Sequence, residues 1–330
     1  MKRLLKDVVV QQRSSLKLSD VAESGKYPVF GAAGLVGYRN TYQTDLPSVA
    51  IIKDGAGIGR VSLLPKNSSV LGTMQMLTPN ADVDNVFLYY YLTHLHLGKS
   101  FTGSTIPHIY FKNYGALSFP KFKHDEQVRI AIDLTNISNA IENKHVQLNI
   151  LDGLVKSRFN EMFGTVNKRE LSSIAEIFMG QSPDSKSYND LGNGIPFFQG
   201  KADYGEKYTK VAHWTTSPTK LARKGDVLMS VRAPVGPVNL SSSDCCIGRG
   251  LCAIRAKEGV TNNEFLYNAL KVMESEISSM GNGSTFKAIN KNDVYGLKIP
   301  SASITEQEKF SAFSELIDKS RFVCHSRNFL

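Results

Sequence analysis

The chain has 330 residues, of which 42% are hydrophobic and 21% charged, and this composition excludes the disordered, collagen-like and disulfide-scaffold classes. The length favours about two domains, because single hydrophobic cores stop growing near roughly 250–300 residues. The 39 basic and 30 acidic residues give a net charge of +9, which favours a polyanionic partner such as DNA or RNA without establishing one.

Short apolar segments bounded by Gly, Pro, Asn and Ser predict a strand-rich region in each half of the chain. A helix is predicted after the strands of each half. In the first half it covers Asp84–Leu97 and comes after Asp82, and in the second half it covers Asn263–Ile277, with Thr261 as its N-cap. A Gly-Ser-Thr loop and a last strand, which ends at Pro120 or Pro300, come next. The predicted strands are Pro28–Phe30, Val49–Lys53, Val61–Leu64, Met74–Leu77, Pro196–Gln199, Asp226–Val231 and Leu251–Arg255.

A long helix is predicted from His124 to Phe163, where no proline and only one glycine, Gly153, interrupts the chain. Its apolar residues recur in steps of three and four, which is the pattern of a coiled coil. About 40 residues at about 1.5 Å each make a rod of roughly 60 Å, which must pack on another helix. The predicted seam residues are Ile130, Leu134, Ile137, Ile141, Leu148, Leu151, Val155 and Met162.

The second half offers a partner helix that begins near Ile304, with a capping box from Thr305 to Glu308. Phe310, Phe313 and Ile317 continue the apolar spacing. This helix ends at Leu330 and is shorter than the first, so we expect a shortened or shifted C-terminus.

The two halves are related by an internal repeat, with a displacement of 180 residues from Gly103 to Gly283. The landmarks follow the same order in both halves, and the period is too long for a solenoid, whose repeats run about 20–50 residues. The sequence therefore predicts a tandem duplication of one module. The corresponding segments are Tyr27–Phe30 and Ile195–Phe198, Val49–Lys53 and Val227–Arg232, Leu71–Thr73 and Ile247–Arg249, Gly103–Ile109 and Gly283–Ile289, and Glu126–Gln127 and Glu306–Gln307.

Motifs of catalysis and of metal binding do not emerge from the sequence. The Gly55–Gly59 loop would need a helix after it to bind a phosphate, whereas Arg60–Pro65 is typical of a strand. The Asn/Asp-Pro-Pro-aromatic motif of an amino-methyltransferase is missing, as is a convincing carboxylate pair of a nuclease. Zinc-ligand spacing is missing too, so we expect the four cysteines to be reduced, buried thiols. The pattern favours a binding protein.

The chain also lacks an apolar run of about 18 residues and the sustained apolar core of a signal peptide. We therefore expect a cytoplasmic protein.

Two strand-rich modules, each followed by a long helix, resemble the specificity subunit of type I restriction-modification systems. The resemblance covers the whole chain and implies an α+β fold, a tandem duplication in which the two long helices pair as an antiparallel coiled coil. The implied target recognition domains are residues 1–121 and 165–301, and the implied spacer helices are 122–164 and 302–330. The motifs that carry the resemblance are Tyr27–Gly31, Gly103–His108, Asp125–Gln127, Ile195–Gly200 and Cys246–Gly250.

The resemblance implies that each recognition domain reads one half of a bipartite site in double-stranded DNA. The helices would set the spacing and dock modification (methyltransferase) subunits, and restriction (ATPase and nuclease) subunits would join the complex. S-adenosylmethionine, ATP and Mg would serve those partners, with no cofactor, metal or catalytic residue in this chain. An alternative is a truncated or decoy subunit, which binds partners or DNA without supporting a full active complex.

Base reading needs basic and polar side chains at turns beside the repeated strands. The candidate DNA-binding residues are Lys53, Arg60, Ser104, Thr105, Lys112, Lys201, Arg232, Arg249, Ser284, Thr285 and Lys287. Because the two half-sites of an asymmetric target differ, the shared Gly-Ser-Thr loop fits a structural or phosphate-facing role better than base reading. The candidate coiled-coil or partner residues are Ile130, Leu134, Ile137, Ile141, Leu148, Leu151, Val155, Phe310, Phe313 and Ile317.

Overall fold

The computed structural model describes residues 3–103, 105–281 and 287–326, with only the helical backbone over 322–326. The chain divides into two compact units, Met1–Asn143 and Lys144–Leu330. This division does not test the four predicted segments 1–121, 122–164, 165–301 and 302–330, which stay a prediction.

The first unit contains two sheets and the start of the long helix. Its strands are β1 (Val9–Gln12), β2 (Tyr27–Gly31), β3 (Gly34–Arg39), β4 (Ser48–Ile52), β5 (Val61–Leu64), β6 (Ser69–Val70) and β7 (Met74–Pro79), and the helices are α1 (Asn85–His94), α2 (Phe111–Tyr114) and α3 (His124–Phe163). A four-stranded antiparallel sheet has the order β1-β7-β4-β5, and a three-stranded sheet has the order β3-β2-β6. Strand β4 is buried throughout, and its side chains alternate between two cores, since successive residues of a strand point to opposite faces. Val49 and Ile51 pack with helix α1, whereas Ala50 and Ile52 pack with Met76.

The second unit repeats the plan of the first. Its strands are β8 (Lys168–Glu170), β9 (Ala175–Met179), β10 (Tyr188–Asn189), β11 (Ile195–Phe198), β12 (Trp214–Thr215), β13 (Leu221–Ala222), β14 (Val227–Ser230), β15 (Val238–Leu240), β16 (Cys245–Ile247), β17 (Leu251–Ala256) and β18 (Lys298–Pro300), and the helices are α4 (Leu171–Ile174), α5 (Asn263–Val272), α6 (Glu274–Ser279), α7 (Lys291–Tyr295) and α8 (Ile304–Ser326). One sheet has the order β9-β17-β14-β15, and another contains β12-β11-β16. In both units the second sheet pairs one strand in parallel, β2 with β6 and β11 with β16. The matching strand order confirms the predicted duplication.

The last predicted strand of each module lies beside the start of that module. Strand β18 ends at Pro300 as predicted and pairs with β8. Within the described residues of the first unit, the stretch before Pro120 bridges Ser118 to Leu4, and the N–H of Phe119 donates to the carbonyl of Arg3 at 2.8 Å.

The helix caps differ from those predicted. Asp84, rather than Asp82, caps α1 by accepting from the N–H of Phe87, and Asn262, rather than Thr261, caps α5 by accepting from the N–H of Phe265. The Thr261 hydroxyl instead donates to Oε1 of Gln307 at 2.8 Å, so a partner distant in sequence takes the side chain away from the cap.

The start of α8 and the end of α5 also depart from prediction. The capping box of α8 joins Ser303 and Glu306, two residues before the predicted Thr305–Glu308 pair. Helix α5 ends at Val272 and the chain continues as α6, where the sequence predicts one helix to Ile277.

The repeated Glu-Gln pair fastens each long helix to the module that precedes it. Gln127 Nε2 donates to the carbonyls of Asp82 and Phe122, both at 3.1 Å, and its Oε1 accepts from the N–H of Asp84. Gln307 Nε2 donates in the same way to the carbonyls of Val260 at 3.2 Å and Ala302 at 2.9 Å. Both glutamines are buried, so the same pair of hydrogen bonds joins each long helix to its module.

Helix α3 has the predicted bounds, and its C-terminal part packs against α8 within the second unit. The rings of Phe159 and Phe163 contact that of Phe310, with centroids 5.3 and 5.7 Å apart. Nearer the C-terminus of α8, Arg321 pairs with Asp152. Since contacts move toward the start of α3 as α8 proceeds, the two helices run antiparallel.

The apolar stripe is not buried along the whole of α3. Ile137 and Ile141 are 56% and 54% exposed, because the first part of the helix packs on the first unit through other positions, Gln127 and Ala131 among them. Of the remaining candidate residues, Val155, Phe310 and Ile317 are buried, and Ile130, Leu134, Leu148, Leu151 and Phe313 are half-buried.

Candidate nucleic-acid interface

A polar cavity of about 250 Å³ in the second unit gathers three of the candidate cations. Lys201, Arg232 and Arg249 line it, and all three are exposed. The polar side chains of Ser182, Gln199 and Ser230 also line it. The cavity therefore presents three positive charges together with an amide and two hydroxyls.

Neighbouring strands bring these residues together. Arg232 follows β14, whereas Arg249 follows β16, which lies beside β11 and the Gln199 turn. The N–H of Arg249 donates to Oγ of Ser182 at 3.2 Å. Gly250 allows the close approach, because a Cβ at this position would lie 2.4 Å from the carbonyl oxygen of Gln199.

A buried carboxylate holds the turn that carries Gln199 and Lys201. Oδ2 of Asp203 accepts from the N–H of Gln199 at 2.6 Å and from that of Gly200 at 3.2 Å. Its charge is therefore directed at the backbone. Within the described residues, no carboxylate forms an ion pair with Lys201, Arg232 or Arg249, which leaves these cations available to an anion.

The chemistry of this lining suits DNA. A guanidinium can donate two parallel hydrogen bonds to a phosphate or to N7 and O6 of guanine, and a Gln amide can pair with adenine. A lysine ammonium acts as a point charge for phosphate.

In the first unit a different row of side chains lies at the corresponding edge. Nδ1 of His108 is 2.7 Å from Oδ1 of Asp54, and Nζ of Lys53 is 3.6 Å from the other carboxylate oxygen. The His108 ring stacks on Tyr110, with centroids 6.3 Å apart, and Nζ of Lys112 lies 5.5 Å from the centre of the Tyr110 ring. Lys53 and Lys112 are therefore linked through a mixed acidic and aromatic row.

Arg60 lies in a separate groove beside α1. It lines an open cavity of about 610 Å³ with His96 and Lys99, two basic residues that the sequence did not single out. Arg60 does not line the second cavity of this region, of about 550 Å³, which Lys99 shares with His108.

The Gly-Ser-Thr loops are described in part. Thr105 is exposed, and Gly103, which has a positive φ of 98°, follows Thr102, whose backbone pairs with that of His108. Ser104, Ser284 and Thr285 lie outside the described residues. Lys287 is exposed and precedes Ala288, which bridges to Arg232.

Five residues of these two surfaces escaped sequence reasoning: Ser182, Gln199, Asp54, His108 and Tyr110. The candidate DNA-binding residues are basic residues beside the repeated strands and the Ser and Thr of the shared loops, so acidic, aromatic and amide neighbours are not among them. Asp54 could have been found, because it follows the repeated strand where the second half carries Arg232.

Two negative findings concern the described residues. None of their helices is long and apolar enough to cross a membrane. No group of three or more His, Cys, Asp or Glu side chains among them is placed to hold a metal ion.

Comparison with known proteins shows where this architecture recurs. A family model described as the type I restriction modification DNA specificity domain matches residues 1–151 and 164–321. A putative type I restriction enzyme specificity subunit of Methanocaldococcus jannaschii, MjaX, is 32% identical over 280 residues, which are 74% of this chain and 65% of that protein. The MjaIX specificity subunit of the same organism is 26% identical over 168 residues, 46% of this chain and 39% of that protein. The match thus spans less than two thirds of either relative.

Solved structures share the fold. The S subunit of the type I restriction-modification system from M. genitalium superposes with a TM-score of 0.68 at 19% identity, covering 99% of this chain and 91% of that one. A chain from a study of complex assembly and conformational transition in a type I R-M system has a TM-score of 0.57 at 24% identity, covering 98% and 91%. With the family model matching in both halves, the chain belongs to the family of type I restriction-modification DNA specificity domains and carries two of them in tandem.

Proposed function

We propose that this chain is the non-catalytic specificity subunit of a cytoplasmic type I restriction-modification complex and reads a bipartite site in double-stranded DNA. Each unit recognises one half-site. Methyltransferase subunits, which use S-adenosylmethionine, and restriction subunits, which use ATP and Mg, supply the chemistry.

The observation that carries the proposal is the cavity of Lys201, Arg232 and Arg249 at the edge of a duplicated module. Three unneutralised cations beside a Gln amide combine phosphate attraction with the capacity to read a base edge. The first unit has the same strand order but a different row of side chains, as an asymmetric site requires.

The proposal is tested by expressing the chain with the modification subunit of its own system and sequencing the methylated genome. We expect one split motif with methylated adenines. If a soluble complex forms and no motif is methylated, the proposal fails. Replacing residues 1–121 by the corresponding module of another family member should change only one half of the motif, and a change in both halves would contradict the assignment of one half-site to each unit.

Docking of the methyltransferase subunit is proposed at the exposed apolar side chains of the first part of α3. Ile137 and Ile141 are exposed, so charged substitutions there leave the core of the first unit intact. The double variant Ile137→Glu, Ile141→Glu should fold normally and no longer co-purify with the partner, whereas the nearby exposed Asn139→Glu should still do so. Normal co-purification of the double variant would place the docking surface elsewhere.

A further inference from the structure

The two units carry opposite charges at one equivalent position. The N–H of Ile109 donates to the carbonyl of Lys53 at 2.9 Å, and the N–H of Ile289 donates to that of Val231 at 3.0 Å. The next residues form isolated antiparallel bridges, Asp54 with His108 and Arg232 with Ala288. Backbone pairing therefore makes Asp54 the counterpart of Arg232.

His108 and Lys53 hold the Asp54 carboxylate at the surface of the first unit. Oδ1 lies 2.7 Å from Nδ1 of His108, and because a carboxylate can only accept, Nδ1–H is the donor. Oδ2 lies 3.6 Å from Nζ of Lys53. The three side chains are 27%, 35% and 31% exposed, so this ion pair and this hydrogen bond hold the carboxylate in one orientation at the surface while leaving it accessible.

The carboxylate keeps capacity for a ligand. It has about four lone-pair sites, of which His108 and Lys53 engage two. Arg232 offers the reverse chemistry, since it is exposed in the polar cavity and can only donate.

We propose that Asp54 is a specificity-determining residue that accepts a hydrogen bond from the N4 amino group of a cytosine in the first half-site, while Arg232 donates to a guanine at the equivalent place in the second. In the major groove cytosine presents a donor and guanine presents acceptors at N7 and O6, so a carboxylate attracts the first and repels the second. His108 and Lys53 position Asp54 and reduce its repulsion from phosphates. This inference rests on the proposed function.

The test uses the complex of the full chain with its modification subunit, and methylation sequencing of the wild type, Asp54→Ala and Asp54→Asn. The wild type should require a C·G pair at one or more positions of the first half-site. Asp54→Ala should reduce discrimination at one such position by about 5–150-fold, the range that corresponds to ~1–3 kcal/mol for one good base contact. The second half-site and the spacing should be unchanged.

Matched controls separate this effect from a general change of charge. Asp45→Asn removes a charge from an exposed aspartate of the same unit and should leave the motif unchanged. Arg232→Ala should relax a guanine position in the second half-site only, and Arg223→Ala, at an exposed arginine of the same unit, should not.

The inference is overturned if the wild-type first half-site specifies only A·T pairs, a result that needs no variant to fold. It is also overturned if Asp54→Ala, which removes the accepting oxygens, assembles and methylates the wild-type motif with unchanged selectivity. In both cases a split motif in the wild type still upholds the proposed function. Methylation of no split motif by an assembled wild-type complex would contradict the proposed function itself.

Discussion

Replacing Gln307 by Ala should destabilise the second unit strongly, because its buried side-chain amide makes three hydrogen bonds at once. Nε2 donates to the carbonyls of Val260 and Ala302, and Oε1 accepts from the Thr261 hydroxyl. Gln307 is 2% exposed and Thr261 is 5% exposed, so water does not readily replace the lost partners. A buried polar group left unpaired costs about 1–3 kcal/mol, and the three groups share one site, so we expect a loss of about 3 kcal/mol.

The loss can be measured by thermal and urea unfolding, with hydrogen exchange as a local readout. For a unit of this size about 3 kcal/mol corresponds to a fall in Tm of roughly 6–12 °C. Amide exchange should accelerate at the start of α5 and α8, which the glutamine joins. The control is Gln147→Ala, at an exposed glutamine of α3, and it should change the free energy of unfolding little. A loss below about 1 kcal/mol for Gln307→Ala would refute the stabilising role assigned to the hydrogen bonds of this buried side chain.

Three further predictions concern the second unit. Asp226→Ala should cost about 3 kcal/mol in urea unfolding, because the 2% exposed carboxylate binds Nε and Nη2 of Arg255 at 2.9 and 2.7 Å. Its loss leaves the partly buried guanidinium with the longer contact to Glu176 at 4.0 Å, and a loss below about 1 kcal/mol would contradict this. Desolvation raises the pKa of Asp152, but the positive charges of Lys271 and Arg321 outweigh it and hold that pKa below its usual value. The ionised carboxylate therefore stabilises the fold at pH values above the unfolded-state pKa, and this stability is lost as the pH falls through the lower folded-state pKa. Asp152→Asn should therefore lose stability at pH 7 and show a shallower loss below about pH 4 in acid titration, and an unchanged titration would contradict the pairing. Burial raises the pKa of Cys252 to about 12, so iodoacetamide at pH 8 should alkylate this thiol only after the chain unfolds. Peptide mass mapping measures the labelling, and rapid labelling of the native chain would refute the burial of Cys252.

The local sequence pattern predicts the bounds of those helices and strands that depend mainly on their own residues. The bounds of α3 followed from an uninterrupted periodic stretch, and the strands of the repeat followed from apolar segments between turns. The cap of α5 was wrong because Thr261 is drawn to Gln307, a residue 46 positions away. Sequence spacing ranks nearby capping residues, but it does not show which side chain a distant helix engages.

The candidate site depended even more on tertiary structure. Lys201, Arg232 and Arg249 could each be named from their turns, yet their convergence requires β16 to lie beside β11 in parallel. The contact of α3 with α8 likewise uses Phe159 and Phe163 in addition to the predicted stripe, since ring packing against Phe310 decides which face is buried.

The duplication distinguishes the residues that hold the framework together from those that read the DNA. Residues that serve the framework can be the same in both units, and Gln127 and Gln307 each donate to two backbone carbonyls at the same junction. Residues that read an asymmetric site must differ, and the most direct difference lies at Asp54 and Arg232, where equal backbone pairing carries opposite charge. A substitution at the glutamines should therefore lower stability without altering the motif of any complex that assembles, whereas a substitution at Asp54 or Arg232 should alter the motif with little effect on stability. Measuring both quantities for both kinds of variant tests this separation, and a glutamine variant that changed the recognised bases would contradict it.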